Sequence, residues 1–467
     1  MALTGSAMAE VQLAQTPPLG WNSFDSYSCS LYEERALMEA YAFIEKFAPH
    51  GYEYYVIDNG WFSNPESVRK DGLLLPVNTH ADPKDVEVNE YGIVQPSSLY
   101  FPNGFKELVD KLHANNLKFG VHLMRGIPRV AVERDLPIKG TNYTAKDIYT
   151  TVDDCTWCKY MHGVDMTKPG AQEFYNSVVN EFASWGVDFI KVDHVTHKPA
   201  EIEAYAKAIE QCGRPMILSL SAGGTSNVKY LDSYRMTNMV RTTPDIWDKQ
   251  VSLDHSFGSM RKWQGLEQPG FWPDLDMIPF GELCILNRRD VKKKKPGKSE
   301  AQFAGHLHHW SYFTEPQKET FITQRAIAAS PIMMGGSMLN LDEHSTKLLT
   351  HPEMLGCVNN GIHGKLYFEE DSIEAWHAPA NNCDEYGFVA FQKGIEGWIG
   401  IFNRSDEKRT VELSGKLASV IKSGKYMLHD VWGEQTFEPW SKSAATKFEI
   451  EPNGAVFLQY QKKTRRA

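Results

Sequence analysis

The chain has 467 residues, 42% of them hydrophobic and 23% charged, and carries a formal charge of −10 from 59 acids against 49 bases. That length accommodates a large α/β barrel plus a smaller domain, and the acidic balance excludes the basic footprint of a nucleic-acid binder. Seven scattered cysteines exclude a disulfide framework, and no apolar run is long enough to span a membrane.

Residues 1–15 read as an expression leader or disordered segment, without the basic start and apolar stretch of a secretory signal. The folded part opens at Thr16-Pro17-Pro18-Leu19-Gly20-Trp21-Asn22-Ser23-Phe24, where two prolines stop any earlier element and an aromatic run gives a first strand. Glu33 to Phe47 has helical apolar spacing and is closed by Gly51. Tyr54 to Asp58 is a second strand with a carboxylate at its end. Leu73 to Tyr100 reads as a surface excursion, Phe105 to Leu112 as a helix and Lys118 to Leu123 as a third strand. Arg125 to Tyr160 reads as a long loop. It holds Cys155-x-x-Cys158, a lone pair that fits a local bridge or two buried thiols better than a zinc site.

A helix from Gly170 to Trp185 leads into Val187-Asp188-Phe189-Ile190-Lys191-Val192-Asp193, bounded by Gly186 and rich in Val and Ile, as a buried parallel strand requires. A helix Glu201–Cys212, a strand Pro215–Ser221 and a short strand Met239–Arg241 follow, with Asp245 just beyond. Gly270 to Met277 is a seventh strand, Phe321 to Ala329 a helix and Pro331 to Gly336 an eighth strand. This rhythm predicts a (β/α)8 TIM barrel over residues 16–360. From about Gly364 the pattern turns to short alternating runs, among them Phe388–Phe391 and Gly397–Phe402, which predict an antiparallel β-sandwich over residues 361–467.

In such a barrel the C-terminal strand ends hold the chemistry. Collected there are Asp58, His122, Lys191, Asp193, Ser221, Arg241, Asp245, Asp274 and Asp276. Several strands thus deliver carboxylates to one rim, and two working carboxylates are the minimum for glycoside hydrolysis. Lys191 and Arg241 already supply positive charge, so no metal is expected, and no cofactor motif is present. Lys292 to Lys295 reads as a solvated loop.

Five stretches in order, Pro17–Phe24, Ile57-Asp58-Asn59-Gly60-Trp61, Gly186–Asp193, Arg241-Thr242-Thr243-Pro244-Asp245-Ile246 and Trp272-Pro273-Asp274-Leu275-Asp276-Met277, resemble the signatures of glycoside hydrolase family 27. That family comprises α-galactosidases and α-N-acetylgalactosaminidases, and Gly120–Pro128 is similar to a bacterial branch of it. The resemblance implies a retaining double displacement on a terminal α-D-galactosyl residue of an oligosaccharide or glycoconjugate. Asp193 is then the nucleophile and Asp245 the general acid/base. Phe24, Asp58, Asn59, His122, Lys191, Ser221, Gly224, Arg241 and Asp276 would bind the sugar. Lys191 is expected to keep Asp193 ionised, Asp245 to sit in a dry, poorly charge-compensated place, and Arg241 to face the sugar hydroxyls rather than Asp245. Three positions depart from the family pattern: Asn59 replaces a second acid, His122 a tyrosine, and His194 follows the nucleophile, where it reads as a hydrogen-bonded neighbour.

By the same resemblance Ser221 and Gly224 leave room for a 2-acetamido group, so α-N-acetylgalactosaminidase is an alternative. Others are a β-L-arabinopyranosidase or isomaltodextranase-like enzyme of the same fold and a transglycosylase. From different classes come a non-catalytic carbohydrate-binding protein and a metal-dependent enzyme using His306, His308 and His309. A secreted or periplasmic location is expected.

Overall fold

Eight short parallel strands form one sheet: β1 (Leu19–Asn22), β2 (Tyr54–Ile57), β3 (Lys118–Met124), β4 (Phe189–Asp193), β5 (Ile217–Ser221), β6 (Met239–Arg241), β7 (Trp272–Asp274) and β8 (Ile332–Met334), in the spatial order β7-β6-β5-β4-β3-β2-β1-β8. The segment after β7 closes this sheet into a barrel: Ile278 N–H donates to Met333 O and Gly335 N–H to Ile278 O, both at 2.9 Å. The computed structural model describes residues 12–64, 69–70, 73–74, 83–152, 154–221, 226–285, 308–381 and 394–462.

The outer layer is built from α1 (Glu33–Lys46), α2 (Lys106–Ala114), α3 (Ala171–Ser184), α4 (Pro199–Cys212), α5 (Gln250–Trp263) and α6 (Glu315–Ile327), followed by α7 (Glu343–Thr350) and α8 (Pro352–Asn359). The turn from α3 into β4 needs Gly186, which sits at φ +82°; a Cβ there would lie 2.9 Å from Val109 Cγ1.

The two-residue period of a strand separates two apolar layers from one another. Tyr55, Ile57, Val121, Ile190, Val192, Leu218, Leu220 and Val240 pack outward into the main core under the helices. Their alternates Tyr54, Val56, Phe189, Ile217, Met239 and Met333 form a second cluster inside the barrel. Gly20 and Gly120 make that interior possible: a Cβ on them would lie 2.4 Å from Tyr54 O and 2.8 Å from Phe189 Cβ. Two residues further along each strand the inner row turns polar, at Asn22, Asp58, His122, Lys191 and Arg241. The polar ring thus lies at the C-terminal mouth, over an apolar floor.

The C-terminal part carries β9 (Lys365–Glu370), β10 (Ile373–Pro379), β11 (Ile395–Asn403), β12 (Arg409–Leu413), β13 (Tyr426–Asp430), β14 (Gln435–Trp440), β15 (Thr446–Ile450) and β16 (Ala455–Lys462). They make an antiparallel six-stranded sheet, β9-β10-β11-β16-β13-β14, and a pair β12-β15, with Ile399, Ile401, Leu413, Ile450 and Leu458 in the core they share. Ion pairs fasten this part to α5: Arg261 Nη2 to Glu374 Oε1 at 3.0 Å and Arg404 Nη2 to Asp254 Oδ1 at 2.7 Å.

Four expectations need correction. Residues 125–160 are not plain loop: they contain two short helices, Arg129–Glu133 and Ala145–Ile148, and strands Ile127–Pro128 and Tyr149–Thr150 that pair with Met161–Val164. Elements this short show no periodicity. Within the Leu73–Tyr100 excursion, Leu73–Leu74 pairs with Arg69–Lys70. Helix α6 begins well before Phe321, because Thr314 and Gln317 form a capping box at its start. Strands β14 and β15 were not expected, since exposed polar residues dominate both. Residues 1–11, 292–295 and 388–391 lie outside the described residues.

Candidate active site

Asp193 ends β4, and Asp58 follows β2. The imidazole of His122, on the intervening strand β3, reaches both: its Nε2 is 3.6 Å from Asp193 Oδ2 and 3.9 Å from Asp58 Oδ1. Register places His122 directly beside Lys191. Lys191 Nζ donates to Asp58 Oδ2 at 2.7 Å, and Asn22 Nδ2 donates to the same oxygen at 2.8 Å. The direct partner of Lys191 is therefore Asp58, not Asp193. A further contact of Asp193 comes from the backbone: His194 N–H donates to Asp193 Oδ1 at 2.7 Å. His194 is held at φ +59°, a strained position for a residue with a side chain, and its ring Nδ1 accepts from Arg125 Nε at 3.2 Å. It is the hydrogen-bonded neighbour the sequence suggests.

Burial pushes the Asp193 carboxyl up, but His122, Arg241 and Lys191 outweigh it and hold it well below the usual carboxylate range. Burial acts on Asp58 in the same sense; His122, Lys191 and the Asn59 N–H bring it down to about 2. Burial pulls Lys191 down, yet Asp58 and Asp193 raise it above an ordinary lysine. The site thus holds fixed, opposed charges in a poorly solvated place. One consequence is for stability. Lys191→Met leaves the Asp58 carboxylate buried without its cation and is expected to cost about 3 kcal/mol in denaturant unfolding. Because Asp58 titrates at about 2 when folded against 3.8 as its ordinary value, its stabilisation is complete above the unfolded value and is lost as pH falls through the folded one. Melting temperature should then fall less steeply in Lys191→Met than in the wild type as pH is lowered from about 5 to about 2.

Across the mouth, Arg241 ends β6. Its Nη2 pairs with Asp245 Oδ1 at 2.8 Å and its Nη1 lies 3.4 Å from Asp276 Oδ2. This overturns two expectations. Arg241 does face Asp245, and the Asp245 side chain is 70% exposed rather than dry. The reason is local: Asp245 follows exposed Pro244 in the turn after β6, outside the inner row of the barrel. Asp276, at φ +75°, also accepts Ile246 N–H at 2.9 Å and so fixes the start of that turn. Burial, reinforced by Asp276, pushes Asp274 up to about 7.

A cleft runs among Asn22, Lys191, Ser221, Arg241 and Asp276 and down to Phe189, Met239 and Met333. Ser221 is buried, and neither its Oγ nor Arg241 Nε has a hydrogen-bond partner among the described residues. Phe24 lies half-buried beside the inner apolar cluster. Asn59 Oδ1 accepts from the Tyr160 hydroxyl at 2.9 Å. Gly224 lies outside the described residues. Asn22 and Tyr160 were missed as site residues. Asn22 sits inside a quoted motif; Tyr160 lies far from Asn59 in sequence and gives no local signal. Of the histidines weighed as metal ligands, His308 Nε2 is 2.6 Å from Glu282 Oε1 and His309 Nε2 is 3.0 Å from Asp248 Oδ2. His306 lies outside the described residues. Among the described residues no helix is long and apolar enough to cross a membrane.

A parallel barrel whose strand ends carry separate carboxylates amid polar groups suited to hydroxyls defines a barrel glycoside hydrolase. A family model described as alpha galactosidase A matches residues 141–294. The GH27 β-L-arabinopyranosidase of Geobacillus stearothermophilus is similar over 99% of this chain and 100% of its own, at 32% identity and a TM-score of 0.84. A candidate α-N-acetylgalactosaminidase of Bacillus halodurans is similar over 96% and 98%, at 30% identity and a TM-score of 0.77. The α-galactosidase of rice is 23% identical over 441 residues, 93% of this chain and 82% of the relative. The chain belongs to glycoside hydrolase family 27.

Proposed function

We propose that this glycoside hydrolase removes terminal α-D-galactosyl residues with retention of configuration, Asp193 acting as nucleophile and Asp245 as general acid/base. The observation that carries the reading is the placement of Arg241, which pairs with Asp245 at 2.8 Å and acts electrostatically on Asp193 as well. Two carboxylates on separate strand ends thus share one guanidinium. Asp193, kept ionised, attacks the anomeric carbon while Asp245 gives its proton to the leaving oxygen. Asp245 then draws a proton from water, which attacks the same carbon and releases the sugar. Lys191, Asp58 and Asp276 hydrogen-bond the ring hydroxyls, helped by Asn59, whose Oδ1 is engaged by Tyr160. His122 is added to this set, Phe24 packs on the apolar face of the ring, and Ser221 with Gly224 lies toward the 2-position. Polymeric or oligomeric glycans are met outside the cytoplasm, which supports a secreted or periplasmic setting; recovery of activity in the medium or periplasm of the source cells tests it.

One observation favours a second sugar. The identity of 32% to an arabinopyranosidase exceeds the 23% to the rice α-galactosidase. β-L-Arabinopyranose is α-D-galactopyranose without its C6 hydroxymethyl group, so both sugars fit the same mechanism. Initial rates on matched aryl α-D-galactoside, β-L-arabinopyranoside and α-N-acetylgalactosaminide decide. We expect the galactoside to give the highest kcat/KM and NMR to show the α-anomer as first product. An arabinopyranoside preference above about tenfold, a difference that pocket contacts with one small group can supply, moves the substrate to the second reading. A β-anomer as first product from the galactoside overturns double displacement.

A further inference from the structure

The backbone just after Asp193 is bent against its preference, and one buried side chain holds it there. His194 sits at φ +59°, a conformation that a residue with a side chain keeps only where its surroundings impose it. In that conformation its N–H meets Asp193 Oδ1 at 2.7 Å.

The imidazole of His194 is the handle. Arg125, the residue just past β3, donates from Nε to His194 Nδ1 at 3.2 Å. A guanidinium only donates, so that nitrogen carries no proton and the ring is fixed in one orientation. Trp157 meets the ring edge-on at 6.0 Å between centroids, and His197 meets it at 4.8 Å. Arg125 reaches the same segment through its main chain, since its N–H donates to Asp193 O at 3.0 Å. It therefore grips Asp193 by the backbone and His194 by the ring.

Arg125 is itself braced from the outer layer. Its Nη1 donates to Glu201 Oε1 at 2.7 Å, and the two side chains are only 3% and 4% exposed. Glu201 stands in the first turn of α4. Its other oxygen, Oε2, accepts the hydroxyl of Tyr175 on α3. Gly163 leaves the guanidinium its space, because a Cβ there would lie 3.1 Å from Arg125 Nη1. Hydrogen bonds thus run without a break from two helices, through Glu201, Arg125 and His194, to the Asp193 carboxylate. A buried Arg–Glu pair is a poor device for stability alone, since taking both charges out of water costs about what their attraction returns.

We propose that Arg125, braced by Glu201, is a positioning residue for the nucleophile. Acting through His194, it fixes the N–H that engages Asp193 Oδ1 and hence the rotation of the carboxyl group at the moment of attack. This rests on the reading of Asp193 as nucleophile. Arg125 does not line the cleft between Lys191 and Arg241, so its effect falls on attack and not on sugar binding. A carboxylate turned out of line loses rate while affinity is kept.

The test is a double-mutant cycle of Arg125→Lys and His194→Gly in the full chain, on whichever aryl glycoside the wild type hydrolyses, with the melting temperature of each variant. Lysine keeps a cation for Glu201 but lacks the fork that serves Glu201 and His194 together. Glycine takes a positive φ freely but offers Arg125 no ring. Each single change should lower kcat about tenfold, the scale of one charge-assisted hydrogen bond. KM and inhibition by the free sugar should stay within about twofold. The double variant should fall no further than either single, because both remove the same contact. Glu201→Gln should lower kcat about threefold, and it replaces Arg125→Lys in the cycle if the lysine variant does not fold. Losses that multiply to about a hundredfold are the mark of independent structural damage and overturn the proposal. Wild-type kcat in folded Arg125→Lys or His194→Gly does the same, as does a KM that rises as much as kcat falls. Asp193→Asn on the same substrate separates the two readings. A large loss there beside a multiplying cycle removes Arg125 alone, whereas an active Asp193→Asn strikes the nucleophile itself.

Discussion

Asp193→Asn is expected to lower kcat by on the order of 10⁵-fold, the scale set by removal of a covalent nucleophile. The amide keeps the shape of the carboxylate and can still accept His194 N–H at Oδ1, so the fold and sugar binding should persist while attack is lost. The loss is of charge in a site built to hold it: His122, Arg241 and Lys191 all act to keep this carboxylate ionised. Removing the negative charge takes one counter-charge from these groups, while Lys191 keeps Asp58 and Arg241 keeps Asp245 and Asp276. Asp193→Gly carries the argument further, because the vacated space admits a small anion. Azide should restore turnover and yield a β-glycosyl azide, of configuration opposite to the substrate. Wild-type rates in either variant would remove Asp193 from the mechanism.

Asp245→Asn should give the second-largest loss, and its size should depend on the leaving group. With a sugar or alkyl aglycone, which cannot depart unprotonated, kcat/KM falls about 10³-fold or more, the contribution of a positioned general acid. With a dinitrophenyl aglycone the first step hardly slows. The second step still lacks its base, so the glycosyl-enzyme accumulates and KM falls together with kcat. A pre-steady-state burst of phenol reads this directly. The geometry adds a condition. Asp245 is tied to Arg241 at 2.8 Å, so it can carry a proton to the leaving oxygen only once substrate hydroxyls draw the guanidinium away. Equal losses on both classes of aglycone would exclude the acid role.

The barrel was legible because its strands announce themselves. The run Val187–Val192 between Gly186 and Asp193 could only be a buried strand, and β2, β3 and β5 repeat the design. The acids at their ends followed from the barrel rule. Partnerships between those ends were not legible. Which carboxylate Lys191 meets depends on where β2 and β4 stand around the barrel, and sequence proximity favoured Asp193 over Asp58. Arg241 was set apart from Asp245 for another reason, the proton that a general acid has to hold. Within residues 125–160 the elements are too short for a period, so the bond from Tyr160 to Asn59 had no trace in the sequence. In the C-terminal sheets the exposed faces of β14 and β15 hid them.

The period-two division inside the barrel separates two kinds of evolutionary freedom. Floor positions such as Gly20, Gly120, Phe189 and Met239 are locked together sterically, and a change there is felt by the whole barrel. Rim positions such as His122 and Ser221 stand further along the strands, at the mouth of the barrel. A lineage can therefore exchange one sugar for another at the rim while its foundation drifts slowly. Family relatives at 30% and 32% identity that carry different sugar names over the same barrel are what such a division of labour produces.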